Sequence, residues 1–143
     1  ALLIKPDYAE TINNIGVIHA KQGEFNEATS YYAKALDLNP HLAETYYNQG
    51  LILIHQGKFD DALNRFSKAV EINPELAEAH NNLGISLAKQ GNIGESIAHF
   101  SRAFRIQSNY SIASTNLEKG LTAFQTKTHA LELPYDLQPK TIN

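Results

Sequence analysis

The chain has 143 residues, 43% apolar and 19% charged, a balance that suits a folded domain or a short repeat array rather than a disordered segment. A formal net charge of −3 and a pI near 6.1 offer no basic stripe for nucleic-acid phosphates. The absence of Cys excludes disulfides and thiolate metal sites, and no apolar run approaches the roughly 18 residues read as a membrane span.

Residues 1–8 read ALLIKPDY, and their register returns later in KALDLNPHL and KAVEINPEL. Pro6, Pro40 and Pro74 form one series at intervals of 34 residues; Ala1, Ala35 and Ala69 form another. Residues 1–8 are therefore expected to be the end of a preceding repeat, and the chain part of a larger protein. Three full copies follow at 9–42, 43–76 and 77–110, since 43 − 9 and 77 − 43 both equal 34. A fixed period of this size is the mark of a stacked repeat architecture.

Each copy divides into two helices. Gly23, Gly57 and Gly91 share the position that ends the first, where a left-handed cap is needed. In the middle copy the second helix opens with Asp60 and Asp61, acids that favour a helix N-terminus. It carries Ala62, Phe66, Ala69 and Val70 on one face, and ends at Asn73-Pro74. The expected pairs are 8–22 with 25–38, 42–56 with 59–72, and 76–90 with 93–106. A seventh helix is expected from Tyr110 to about Thr128. It starts like a fourth first helix, with Asn116-Leu117 in the place of Asn82-Leu83, then departs, with Glu118 where the Gly should stand. Residues 111–129 thus read as a capping half repeat, and 130–143, with Pro134 and Pro139, as an extended tail.

The copies resemble the tetratricopeptide repeat (TPR). Gly16, Gly50 and Gly84 hold its Gly position, Ala28 and Ala62 its Ala position, Tyr32, Phe66 and Phe100 its aromatic, and Pro40 and Pro74 its closing Pro. The third copy departs with Ser96 and Ser108, and Gln49 replaces the usual Leu. The resemblance implies an all-α, right-handed α-solenoid of antiparallel helix pairs, the TPR superhelix. Small residues at the Gly and Ala positions allow close helix approach, so Ala62 is expected against Gly50.

Catalytic and metal chemistry find no support. No two of the six His residues have the spacing that would set both on one helix face, and His19 occupies the slot of Leu53 and Leu87, a packing position. The phosphate-loop spacing fails in GLILIHQGK, residues 50–58. No cofactor is expected.

One polar series stands out. Asn14, Asn48, Asn82 and Asn116 recur every 34 residues, although Asn is a mediocre helix residue. Val17, Leu51 and Ile85 follow three positions later, Glu10, Glu44 and Glu78 precede by four, and Asn13, Tyr47 and Asn81 adjoin. The resemblance places this stripe in the concave groove. It also implies an asparagine ladder like that of protein O-linked N-acetylglucosamine transferases, in which amides hold the backbone of an extended peptide. An amide offers an acceptor and a donor together. Bonding between neighbouring repeats is the competing account of the series. The carboxylate clamp known in the family is disfavoured, because Asn13, Glu78 and Asn82 stand where its cations would be. The acidic series would instead favour Lys or Arg in the bound segment. The tail itself is a candidate occupant of the groove, in its own molecule or a neighbour's. The expected role is a module binding a protein partner or an extended peptide. The alternatives are the substrate-presenting region of a glycosyltransferase-like protein, and a scaffold that self-associates.

Overall fold

The computed structural model describes residues 8–127 and 132–143. Within them lie seven α-helices: α1 (Tyr8–Lys21), α2 (Phe25–Leu38), α3 (Ala43–His55), α4 (Phe59–Ile72), α5 (Ala77–Lys89), α6 (Ile93–Ile106) and α7 (Ser111–Thr126). Consecutive helices form antiparallel TPR pairs, α1 with α2, α3 with α4 and α5 with α6, and α7 closes against α6. Residues 132–143 form neither helix nor strand. The expected repeat remnant at 1–7, and the junction of cap and tail at 128–131, lie outside the described residues.

The turns inside the pairs depend on glycine. Gly57 has φ +74°, a left-handed conformation that a side chain disfavours. Gly23 and Gly91 repeat it. Gln125 stands one period later. Without the glycine, α7 continues to Thr126, and Lys127 takes the left-handed position at φ 54°.

Close approach within a pair is set by glycine against an aromatic ring. A Cβ on Gly50 would meet Phe66 Cε1 at 2.4 Å, and one on Gly84 would meet Phe100 Cε1 at 2.7 Å. The Phe66 ring thus closes on Gly50, and Ala62, expected against that glycine, is fully buried in the cluster that holds Phe66. Tyr32 plays the part of Phe66 under Gly16. Glu118 needs no such space, since α7 has no second helix of its own among the described residues; Gly120 instead faces Ile97 and Phe100 of α6. Ser96, in the Ala position, satisfies its buried hydroxyl by donating to Ile93 O at 2.8 Å.

His19 packs as its register suggested, stacked on Tyr31 with centroids 5.1 Å apart. A second pair has a consequence. His80 on α5 and His99 on α6 stack at 5.3 Å, their Nδ1 atoms 3.0 Å apart, and His80 Nε2 lies 2.8 Å from Pro74 O. Burial lowers both pKa values. Arg102 lowers that of His80 further, against the Pro74 carbonyl and Glu75, while His80 lowers that of His99, against Glu95. Below about pH 6.5 the unfolded imidazoles take up protons that the folded ones resist. The stabilising contribution of the pair is thus present above that pH and lost as pH falls. The urea midpoint is expected to drop between pH 7.5 and pH 5, and to drop less in His99→Gln; equal drops would remove the pair from the account.

Candidate functional site

The first helices of the repeats, α1, α3 and α5, present the asparagine series side by side, and residues 132–143 run across it. Asn82 Nδ2 donates to Asp136 O at 2.8 Å while its Oδ1 accepts Asp136 N–H at 2.9 Å. Asn48 does the same to Lys140, at 2.8 and 2.7 Å, and Asn14 to Ile142, at 2.7 Å each way. Each amide thus pairs with both the N–H and the C=O of one residue, which fits the two-sided chemistry of a carboxamide.

The tail runs opposite to the repeats, from α5 to α1. Ile142 lies six positions after Asp136. Two steps between packed helices span about 16–20 Å, and six extended residues reach about 20–22 Å. The overall length therefore matches, although the rungs meet the tail unevenly, four positions from Asp136 to Lys140 and two from Lys140 to Ile142.

Neighbouring polar groups aim the ladder. Asn13 Oδ1 accepts from Thr45 Oγ1 at 2.8 Å and Asn48 Nδ2 at 3.0 Å. Asn13 Nδ2 donates to Asn14 Oδ1 and Lys140 O, both at 3.1 Å. Tyr47, one period on, donates its hydroxyl to Asp136 O at 3.1 Å and lies 3.4 Å from Asn82 Nδ2. Asn81 Nδ2 donates to Asn82 Oδ1 at 3.1 Å. Burial raises the pKa of Tyr47, with the Asp136 carboxylate adding to it, so the hydroxyl keeps its proton and remains a donor.

The predicted site residues do not all reach the tail. Asn116 donates to Asn81 Oδ1 at 2.9 Å, and its own Oδ1 is buried without a partner among the described residues. Here the amide is spent between neighbouring repeats, and the fourth rung holds none of the described tail residues. Among the described residues, Asn81 bonds Asn82 and Asn116 and not the tail. Val17 packs with Ala28, Tyr32 and Ile52 in the core, whereas Ile85 packs with Leu133 and Tyr135 of the tail, and Leu51 lies in the cluster that Tyr135 covers. Of the acids, Glu78 pairs with Lys140 Nζ. Glu10 and Glu44 are half-buried and meet no cation among the described residues.

Some contacts escape a reading by repeat position alone. Tyr110 donates its hydroxyl to Asp136 Oδ2 at 2.6 Å, and burial, followed by that bond, raises its pKa. Ser86 Oγ lies 3.1 Å from Tyr135 Oη. Both departures show in the register: Tyr110 follows Leu42 and Leu76, and Ser86 follows Ile18 and Ile52, each at intervals of 34. A polar atom entering an apolar series was the available signal. No group of three or more His, Cys, Asp or Glu residues able to hold a metal ion occurs among the described residues. No helix there is long and apolar enough to cross a membrane.

Helix pairs repeated at a fixed period, with a polar ladder along the first helices, define a helical-repeat array. Models of the tetratricopeptide repeat match residues 9–42, 31–64 and 77–110, and a TPR-repeat model matches 50–91. Together these spans run unbroken from 9 to 110, and the chain belongs to the tetratricopeptide-repeat family. Among solved structures it is similar to the first TPR of Spaghetti (RPAP3) bound to an HSP90 peptide, SRMEEVD, at 22% identity. That match covers 87% of this chain and 99% of the other, with a TM-score of 0.77. It is also similar to the N-terminal domain of stress-induced protein-1 (STI-1) from C. elegans, at 23% identity over 80% and 95% of the two chains, with a TM-score of 0.66. These likenesses are of fold, and they set the resemblance at the level of the repeat family rather than of glycosyltransferase arrays. No curated protein matches the chain significantly.

Proposed function

We propose that the chain is a protein-interaction module whose groove, lined by α1, α3 and α5, binds an extended segment of a partner protein. The observation that carries this reading is the two-way grip of Asn82, Asn48 and Asn14 on the backbone of Asp136, Lys140 and Ile142. Backbone groups belong to every sequence, so the grip is built for extended chain as such. The RPAP3 domain, a relative in fold, was solved with an HSP90 peptide, which supports peptide capture as a use of the architecture. An acidic ligand of that kind suits this groove poorly at the place where Glu78 meets the tail, since Glu78 there pairs with the Lys140 ammonium. The same ladder favours a second, narrower reading, the presentation of unfolded protein substrate to a catalytic domain elsewhere in a larger protein.

Hydrogen exchange tests the grip. The amides of Asp136, Lys140 and Ile142, which donate to asparagine oxygens, are expected to exchange at least tenfold more slowly than in a free peptide of residues 132–143. Exchange at the free-peptide rate, with the helices still protected, would sink the reading.

A further inference from the structure

The groove makes side-chain contacts that the backbone grip does not require. Asp136 is only 8% exposed. Its carboxylate takes the Tyr110 hydroxyl at 2.6 Å and the Gln138 N–H at 3.1 Å, which is the compensation a buried charge needs. A residue with no acceptor at this place would strand the buried Tyr110 hydroxyl. Four residues on, Lys140 meets Glu78. Immediately before Asp136, the Tyr135 ring lies 6.4 Å from that of Phe66, with Lys89 Nζ 5.7 Å from its centre. Leu133 is buried beside Ile85, Ile93 and Phe100. Tyr110 and Ser86 break the apolar repeat series: Tyr110 donates its hydroxyl to the tail, and Ser86, whose own proton goes to Asn82 O at 3.1 Å, offers its oxygen to the Tyr135 hydroxyl. The groove is therefore shaped to a pattern as well as to a backbone.

We propose that the groove selects extended segments in which an acidic residue is preceded by an aromatic one and followed four residues later by Lys or Arg, and that residues 132–143 hold it against such segments from within the chain. The inference rests on the peptide-binding reading above. A tethered segment acts at an effective concentration on the order of millimolar, so a free segment making the same contacts meets a strong internal competitor. The tail has neither helix nor strand to hold it, and elements of that kind open locally without global unfolding.

The test uses the full chain and a fluorescein-labelled peptide of residues 132–143, read by anisotropy. A released chain carries Asp136→Lys with Lys140→Glu, which changes the tail and leaves the helices intact. It is expected to bind the peptide at least tenfold more tightly than the parent does. It should also bind it at least tenfold more tightly than a peptide carrying Asp136→Asn with Lys140→Gln. Equal binding by the parent and released chains overturns the internal competition. Equal binding of the two peptides overturns the selectivity while leaving the backbone grip standing, and binding of neither removes both. Should the released chain lose its helical circular dichroism, trypsin cleavage after Lys140 gives a second reading. It is expected to be at least tenfold slower in the parent than in Tyr110→Phe with Glu78→Gln, and equal rates overturn the proposal.

Discussion

Phe66→Ala is expected to lower the unfolding free energy by about 3–5 kcal/mol, the cost of emptying a fully buried aromatic site. The upper part of that range applies because the site cannot collapse. The ring lies against the backbone of Gly50, where even an added Cβ would sit 2.4 Å from Cε1. Its other flanks are the rings of Tyr47, at 5.7 Å, and Tyr135, at 6.4 Å. Two of these three walls belong to α3, whose position is fixed by both α4 and the tail. In a repeat array, stability is close to a sum of units and their interfaces. Loss of the central unit therefore also uncouples its neighbours, and the urea transition is expected to broaden as well as shift. A midpoint within the error of the parent would mean that the ring is not the wedge described. Phe66 also touches Tyr135, so the substitution is expected to speed exchange at the Asp136 amide before the helices themselves unfold.

The helices were legible because their punctuation is local. Gly57 and Pro74 act through their own φ angles and missing groups, and the span expected for the third helix, 42–56, differs from the observed Ala43–His55 by one residue at each end. The asparagine series was legible because a period of 34 sets equivalent side chains on one face. What that face holds depends on where a distant segment crosses it, and no local rule states that. The tail leaves the ladder at α1 through Ile142, which packs near Ala9 and Ile12, a turn short of Val17. Val17 is thereby left to the core, although its counterparts Leu51 and Ile85 meet the tail's neighbourhood. Asn116 fails as a rung for a related reason. The tail's hydrogen bond to the segment entering α7 is made by Tyr110, and the Asn116 amide turns to Asn81 instead. Repeat register predicts equivalence of position, while the ends of an array break equivalence of partners.

In a chain whose groove has been freed of its tail, Asn48→Ala with Asn82→Ala is expected to weaken binding of the peptide of residues 132–143 by about tenfold or more. The two amides make four hydrogen bonds to the backbone, two at Asp136 and two at Lys140. They are not equally replaceable. The Asp136 carbonyl keeps the Tyr47 hydroxyl and the Lys140 carbonyl keeps Asn13, but both N–H groups lose the only acceptor shown for them. Counting just those two, at about 0.5–1.5 kcal/mol each, gives roughly 1–3 kcal/mol, or about 5- to 150-fold in affinity. The helices are expected to survive. Asn48 and Asn82 face the groove, and of the groups they leave behind, Asn13 and Tyr47 gain access to water when the groove is empty, while Asn81 loses the Asn82 acceptor and keeps its bond from Asn116. Circular dichroism and the urea midpoint check that claim beside the anisotropy titration. Unchanged affinity in a folded double variant would show that these amides serve the packing of α1, α3 and α5 alone, and that the tail is held by Tyr110, Glu78 and its apolar contacts.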